Sequence, residues 1–138
     1  MVKTFYLEFH TQGRSSIVNI TEEITKLLKK SQLQEGVLNI NCIGSTCALT
    51  TLEYEPALVK DLQDLAERLI PASFYYHHND TWGDDNGHSH LCSCLWGTSL
   101  SLAVSNGKLE VGTWQQVVFI DFDIRPRQRK VVLKFIGE

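Results

Sequence analysis

Apolar and polar side chains alternate along much of the chain, which is the spacing of β-strands with one buried face. The clearest case lies between Val2 and His10, where Phe5, Leu7 and Phe9 occupy every second position. Short apolar runs bounded by turn residues predict further strands. These cover residues 17–20, 37–43, part of 44–52, 91–95, 99–104, 109–111, 114–123 and 130–136. A strand-like aromatic segment also lies at 74–76.

A helical period interrupts the strands twice. Ile24, Leu27 and Leu28 predict a helix that begins near a cap at Asn19 or Thr21 and ends before Gly36. The second helix is predicted between two prolines, because proline is tolerated in a first turn and cannot continue a helix. It begins at Pro56, ends before Pro71, and carries an apolar stripe of Leu58, Leu62, Leu65 and Leu69.

The order of these elements indicates an α+β fold. Residues 1–138 form a single compact domain of mixed or antiparallel β-sheets with two main helices, and no linker or internal repeat divides them. Asn106-Gly107 predicts a tight hairpin late in the chain, since both central residues of a type I′ turn need positive φ.

Charge and composition exclude several classes of partner. A net charge of −3 and a pI near 5.9 argue against nucleic acid or an anionic membrane surface as the main partner. No apolar run reaches the length of a membrane span, and the first ten residues lack the layout of a signal peptide, so we expect a cytoplasmic location. The four cysteines (Cys42, Cys47, Cys92 and Cys94) are then expected to be reduced and mostly buried.

The segment from His77 to His90 is the main candidate for chemistry. It contains four of the five histidines of the chain, together with three aspartates and two asparagines. Such a polar run is costly to bury without partners, and an ordinary surface loop has no need of four imidazoles. We therefore expect a functional site here.

A strand beginning near His88 would place His88, His90, Cys92 and Cys94 on one face. His88 and His90 could then converge with His78, or with His77, from the other side of the loop. Three imidazoles and an open position suit a catalytic zinc or a similar divalent ion. The alternative is that these histidines form hydrogen bonds within a polar loop.

Charged residues elsewhere leave two interpretations open. Glu53 and Glu55 precede the second helix and suit its positive end, but Glu53 could instead be a general acid or base. Asp61 fits a solvated charge on that helix. The alternating Arg125, Arg127 and Arg129 could hold a phosphate, or could protect an exposed edge strand.

Three sequence blocks together resemble the YjbQ family, whose members are often named secondary thiamine-phosphate synthase. They are GSTCALTTLEYEP, NGHSHL and GTWQQVVFIDFD, at residues 44–56, 86–91 and 112–123. The resemblance implies a compact α+β subunit in a homotrimer, with a polar pocket near the subunit interfaces. The implied reaction joins a thiazole phosphate to a pyrimidine diphosphate and releases pyrophosphate. It is regarded as secondary, so the physiological substrate can be a different small phosphorylated molecule.

The family pattern also implies roles for individual residues. Proton transfer and catalysis fall to His90, His78, Glu53 and Asp61, and substrate binding to Asn86, Gln115, Ser99, Arg127 and Arg129. A divalent ion, Zn²⁺ or Mg²⁺, held by His78, His88 and His90 is the cofactor expectation. The chain departs from the pattern at Gly44, where many relatives have histidine, and at Cys92, where relatives often carry a basic residue.

Three functions follow from these observations. The first is an enzyme of the thiamine-phosphate synthase type with weak activity. The second is a metal-dependent hydrolase or lyase acting on an unknown small molecule. The third is a non-enzymatic trimeric binding module, in which the polar cluster holds the subunits together.

Overall fold

Two antiparallel sheets form the framework of the protein in a computed structural model that describes residues 1–138. Eight strands and four helices follow one another along the chain. Their bounds are β1 Val2–Thr11, β2 Ser16–Asn19, α1 Thr21–Ser31, β3 Gly36–Cys42, β4 Cys47–Glu53, α2 Pro56–Leu69, α3 Asn79–Trp82, α4 Gly87–Trp96, β5 Ser99–Ser105, β6 Lys108–Leu109, β7 Gln115–Asp121 and β8 Arg127–Gly137. The predicted α+β class is confirmed.

The larger sheet has the strand order β1-β8-β3-β5-β6, and the smaller one has the order β2-β7-β4. All neighbouring strands are antiparallel. The predicted hairpin joins β5 to β6, with Asn106 at φ 51° and Gly107 at φ 71°. No helix of the chain combines the length and apolar character needed to cross a bilayer.

The side chains of β7 divide the core into two parts. Val117 and Phe119 pack between the two sheets, in a cluster of 16 buried residues that α1 also enters through Ile24. Val118 and Ile120 point to the opposite face, where they meet a smaller cluster of seven that includes residues from α2 and α4. The small sheet is therefore covered on both sides, which explains why β7 reads as a continuous apolar run.

The predicted strand at 91–95 is wrong, because residues 87–96 form helix α4. Its packed face is the stripe Ser89, Cys92, Ser93 and Trp96, with helical spacing and small, mostly polar residues. The Ser89 hydroxyl donates to the carbonyl of Phe122, and the Ser93 hydroxyl donates to that of Cys47. Hydrogen bonds replace apolar contacts on this face, so the hydrophobic pattern did not reveal the helix.

Two smaller predictions also need correction. The aromatic segment at 74–76 is not a strand. The apolar stripe predicted for α2 is not the face that is buried. Val59, Leu62 and Ala66 pack against the small sheet instead. Leu65 and Leu69 are left 37% and 56% exposed.

Candidate functional site

Two imidazoles from either side of the polar turn lie in contact. The ring centroids of His78 and His90 are 4.5 Å apart, with an angle of 64° between the ring planes. His78 precedes the single turn of α3, and His90 lies in the first half of α4. The Gly87 amide donates to the Asn79 side-chain oxygen at 2.9 Å, which ties the two helices together.

Gly87 makes this approach possible. A Cβ atom at this position would lie 2.6 Å from Cβ of Tyr76 and 3.0 Å from Oδ1 of Asn79. Real side chains do not come so close, so only glycine lets the start of α4 rest on the preceding turn. The block NGHSHL contains Gly87, but the sequence alone offers no reason for a glycine there, because the requirement depends on packing against Tyr76 and Asn79.

One face of α4 lines an open cleft of about 320 Å³. His90, Ser93, Cys94 and Gly97 supply this face at helical spacing, and the loop between β3 and β4 supplies the opposite wall through Gly44 and Ser45. Asn86 lies one turn before His90 on the same face. The cleft thus presents an imidazole, hydroxyl groups and a thiol to solvent.

Asn86 also borders a second cavity, of about 260 Å³, together with Arg125 and Arg127. Its side chain is buried, and Oδ1 has no hydrogen-bond partner. Arg127 is paired with Asp123, the two side chains being 2.8 Å apart, whereas Arg125 makes no ion pair. Polar and cationic groups therefore extend along one side of the molecule from His90 to Arg125.

A buried ionic network lies beneath this surface. Arg129 donates to both carboxylate oxygens of Asp121, at 2.7 and 2.8 Å, and its Nη2 also donates to the Thr46 hydroxyl at 2.7 Å. The Thr11 hydroxyl donates to the same carboxylate. The hydrogen bond to Asp121 raises the pKa of Arg129, although burial opposes it. The charge of Arg129 is thus paired with that of Asp121. Substrate binding by Arg129 remains a prediction, and its guanidinium has no unpaired charge to offer a substrate.

Asp123 belongs to the same network. Burial acts to raise the pKa of Asp123, but the Ile124 amide and Arg127 outweigh it, so its pKa is lowered. The sequence predicted the arginines and missed both aspartates. The available signal was the i, i+2 spacing of Asp121 and Asp123 at and just beyond the end of β7, which is repeated by Arg127 and Arg129 at the start of β8.

The departure at Gly44 has a local explanation. A Cβ atom there would lie 2.9 Å from Sγ of Cys47 and 3.0 Å from Nη1 of Arg129. The Cys42 thiol donates a hydrogen bond to Cys47, which lowers the pKa of Cys47 and raises that of Cys42. All four cysteines are free, and only Cys94 is exposed. A histidine at position 44 would require this buried arrangement to move.

The remaining predicted site residues lie elsewhere in the chain. Glu53 and Gln115 are partners in the register of β4 and β7, at the opposite end of the small sheet from Cys47. Six residues of strand, or about 20 Å, separate Glu53 from Cys47, which lies at the end of the sheet nearer His90. The Gln115 side chain is held by Thr51 and by the Gly112 amide. Asp61 is exposed on α2, and Ser99 accepts a hydrogen bond from Asn39 at the start of β5.

The predicted three-histidine arrangement does not form within the chain. Because 87–96 is helical, His88 and His90 are turned about 200° from one another and cannot share a face. His88 packs instead near Tyr76, with a centroid separation of 6.5 Å. No three His, Cys, Asp or Glu side chains are grouped to hold a metal ion. The residues present do not fit the expected zinc site.

The comparisons with known proteins agree on one family. A family model described as UPF0047 protein YjbQ-like matches residues 5–138. A UPF0047 protein of Methanothermobacter thermautotrophicus is 33% identical over 137 residues, which cover 99% of this chain and 94% of the relative. The UPF0047 protein YugU of Bacillus subtilis is 31% identical over 138 residues, covering 99% and 100%.

Solved structures give the same result. A hypothetical protein of Aeropyrum pernix K1 superposes with a TM-score of 0.92 at 29% identity, covering 99% of both chains. A YbjQ-like protein of unknown function from Sulfolobus solfataricus superposes with a TM-score of 0.90 at 26% identity, covering 100% of both chains. The likeness therefore extends over the entire fold.

Proposed function

We propose that this chain, which belongs to the YjbQ-like UPF0047 family, is a weak transferase of the thiamine-phosphate synthase type. The observation that carries the proposal is the contact between His78 and His90 at the edge of an open cleft. In this reaction the bond between the pyrimidine methylene carbon and the diphosphate oxygen breaks. A bond from that carbon to the thiazole nitrogen forms, and pyrophosphate leaves with the electron pair.

Departure of pyrophosphate concentrates negative charge on the leaving oxygen, so the site must supply donors or cations there. The N–H groups of His78 and His90 are donors at the edge of the cleft. Two cations border the neighbouring cavity that Asn86 also lines. They are Arg125, which has no carboxylate partner, and the half-exposed Arg127. We assign diphosphate binding to these groups and derive no step through a metal ion.

Two of the expected residues cannot act with His90 inside one chain. Glu53 and Gln115 lie about 20 Å away along the small sheet. A homotrimer solves this problem if the end of one subunit that carries Glu53 and Gln115 meets the cleft of the next. Such a head-to-tail interface closes into a ring when the rotation between subunits is threefold. We therefore propose that the site is completed across the subunit interface.

The exposed apolar side chains support this assembly. Trp114, beside Gln115, is 73% exposed, and Leu91 and Leu95 of α4 are 47% and 60% exposed. Large apolar residues exposed at both ends of the proposed contact are what an interface between copies would cover.

The test is an assay for thiamine phosphate with purified protein, thiazole phosphate and pyrimidine diphosphate. We expect His90→Ala to reduce the rate about a hundredfold, the lower end of the effect of general acid–base groups. The matched control is His10→Ala, which removes an exposed imidazole from β1 and should leave the rate unchanged. Absence of product from the wild-type protein would overturn the proposal.

Size-exclusion chromatography of His90→Ala separates this function from a binding module. A catalytic histidine lines the cleft without holding the subunits together, so the variant should elute as the wild-type protein does. Dissociation of the variant with no synthase activity in the wild-type protein would instead favour a polar cluster that serves only assembly.

A further inference from the structure

A cavity larger than the cleft at His90 lies elsewhere on the chain. It has a volume of about 470 Å³ and lies between α2, the loop after β1 and the far side of α4. Its polar lining consists of Arg14, Ser15, Glu67, Asp85 and His88. It adjoins the Asn86 cavity at Asp85 and Ile124, but neither His78 nor His90 borders it.

The backbone around this cavity is held in unusual conformations. Five residues other than glycine have positive φ, and Gln32 and Asn106 are explained by a helix C-terminus and a hairpin turn. The other three, Arg14 at 53°, Ser15 at 65° and Asp85 at 54°, line the cavity. Arg14 and Ser15 are the central residues of a tight turn, which the Ser16 amide closes by donating to the Gly13 carbonyl at 3.0 Å. The turn therefore sets the backbone of this part of the cavity wall.

The loop that carries two of these residues is fixed from both sides. The amides of Arg14 and Ser15 donate to the carbonyls of Asp123 and Asp121, at 2.6 and 2.7 Å. The Gln63 side chain of α2 donates to the Ser15 carbonyl at 2.9 Å. The wall of the cavity is therefore preorganised, which reduces the entropy lost when a ligand binds.

The charged groups of the cavity are not paired with one another. Arg14, Glu67 and Asp85 take part in none of the ion pairs of the chain. Glu67 accepts one hydrogen bond, from the Ala72 amide through Oε2, and its other oxygen is free. One cation and two carboxylates thus face a shared space without internal partners. A ligand that complements them carries one carboxylate and two ammonium groups.

His88 adds a further polar group at the same place. Its Nδ1 is buried and has no hydrogen-bond partner. Glu67, Asp123 and Arg14 are all close enough to act on it electrostatically. His88 therefore borders this cavity, whereas His90 borders the cleft.

We propose that this cavity binds a basic α-amino acid such as lysine. Arg14 pairs with the carboxylate, while Glu67 and Asp85 bind the two ammonium groups. The ligand is recognised by its three charges, so the proposal does not depend on the reaction assigned to the His90 cleft.

The test is isothermal titration calorimetry of the full chain with L-lysine. Norleucine lacks the side-chain ammonium, and cadaverine lacks the carboxylate. We expect each to bind about tenfold more weakly or worse, since a lost charge-assisted contact changes affinity by that order. No heat with lysine, or equal affinity for the three compounds, would overturn the proposal.

Three variants locate the site. Arg14→Asn and Asp85→Asn remove a charge while keeping a residue that tolerates positive φ, and Glu67→Gln keeps an acceptor for the Ala72 amide. Each should lose about tenfold in lysine affinity while its thermal unfolding shows an intact fold. Lys60→Gln, a charge change on exposed α2 surface, is the control and should bind as the wild-type protein does.

His90→Ala separates this proposal from the transferase. It should retain lysine binding even where it abolishes thiamine phosphate synthesis. Unchanged binding in all three charge variants would place lysine elsewhere and reject the cavity as its site.

Discussion

Arg129 shows how a single buried charge organises the region beneath the candidate site. Its side chain is 9% exposed, and that of Asp121 is fully buried. Ions taken out of water are tolerated only when their hydrogen-bonding capacity is largely used, and here Asp121, Thr46 and Thr11 meet that requirement. The pair also fixes the loop that carries Gly44, one wall of the cleft.

We predict that Arg129→Met destabilises the protein strongly. The substitution leaves the Asp121 carboxylate buried without its partner, which costs about 3–5 kcal/mol in the free energy of unfolding. The control is Lys130→Met, next along the strand, because Lys130 is exposed and lies 4.0 Å from Glu8. That change should cost no more than about 1 kcal/mol. Urea unfolding measures both, and equal values would contradict the role given to Arg129.

His88 makes a pH-dependent contribution to stability. Burial lowers the pKa of His88, helped by Arg14 and opposed by Glu67 and Asp123. The unfolded chain therefore binds a proton at this residue, near pH 6.5, before the folded chain does. The stabilising contribution of neutral His88 is complete above about pH 6.5 and is lost as the pH falls toward the folded pKa.

We predict a difference between the pH profiles of the wild-type protein and His88→Gln. The free energy of unfolding of the wild-type protein should fall more steeply between about pH 7.5 and about pH 5.5, because glutamine does not titrate. Urea unfolding at a series of pH values gives this difference directly. Parallel profiles would show that His88 titrates alike in the folded and unfolded states.

At the scale of elements, regular apolar patterns were predicted well. β1 and α1 have their predicted apolar faces, and β5 meets β6 at the Asn106-Gly107 turn. Each of these is specified locally, by a period or by a turn residue. α4 was missed because its buried stripe includes Ser89 and Ser93, whose hydroxyl groups donate hydrogen bonds to the carbonyls of Phe122 and Cys47.

That single error explains most of what was wrong in the predicted site. In a strand, His88 and His90 would share a face, whereas in α4 they serve two different cavities. The contact of His78 with His90 was expected and is present. The distance from His90 to Glu53 could not be predicted, since it depends on which end of the small sheet faces the turn.

We predict that Gly87→Ala disturbs the site through the position of α4. The added methyl group would lie 2.6 Å from Tyr76, so either α4 or the turn that carries His78 must move. Overpacking of this kind costs about 1–3 kcal/mol in stability. We also expect thiamine phosphate synthesis to fall as the two imidazoles separate.

The control for Gly87 is Gly112→Ala, where the nearest atom to an added Cβ is 3.7 Å away. Thermal unfolding should show a clear loss for Gly87→Ala and little change for Gly112→Ala. If Gly87→Ala were as stable as the wild-type protein, the close contact between α4 and Tyr76 would not limit this position.

At the scale of the whole molecule, the predicted functional residues divide between two ends of the small sheet. His78, Asn86 and His90 gather near Cys47, and Glu53 and Gln115 lie at the other end. The family pattern assigned these residues to one site, because the resemblance carries no information about which subunit supplies each residue. In the proposed trimer, the end of one subunit that carries His90 meets the end of the next that carries Glu53 and Gln115. The division of these residues between two ends then follows from the assembly.

We predict that two inactive variants restore activity when they form mixed trimers. His90→Ala and Gln115→Ala damage different halves of the proposed site. If random mixing is assumed, about a quarter of the interfaces combine an intact half from each subunit, because each intact half occurs with a probability of about one half. Co-expression with two affinity tags, followed by sequential purification and the synthase assay, measures the recovery.

The matched control combines His90→Ala with Asn86→Ala. Asn86 caps α4 one turn before His90, so both changes damage the same half of the site. No subunit of that mixture carries an intact His90 half, and activity should stay at the level of the separate variants. Recovery of activity in both mixtures would point to subunit exchange or to contamination with active protein, rather than to sites shared between subunits. Recovery in neither, with intact trimers, would mean that Gln115 acts within its own chain or not at all, and the head-to-tail contact would have to be abandoned.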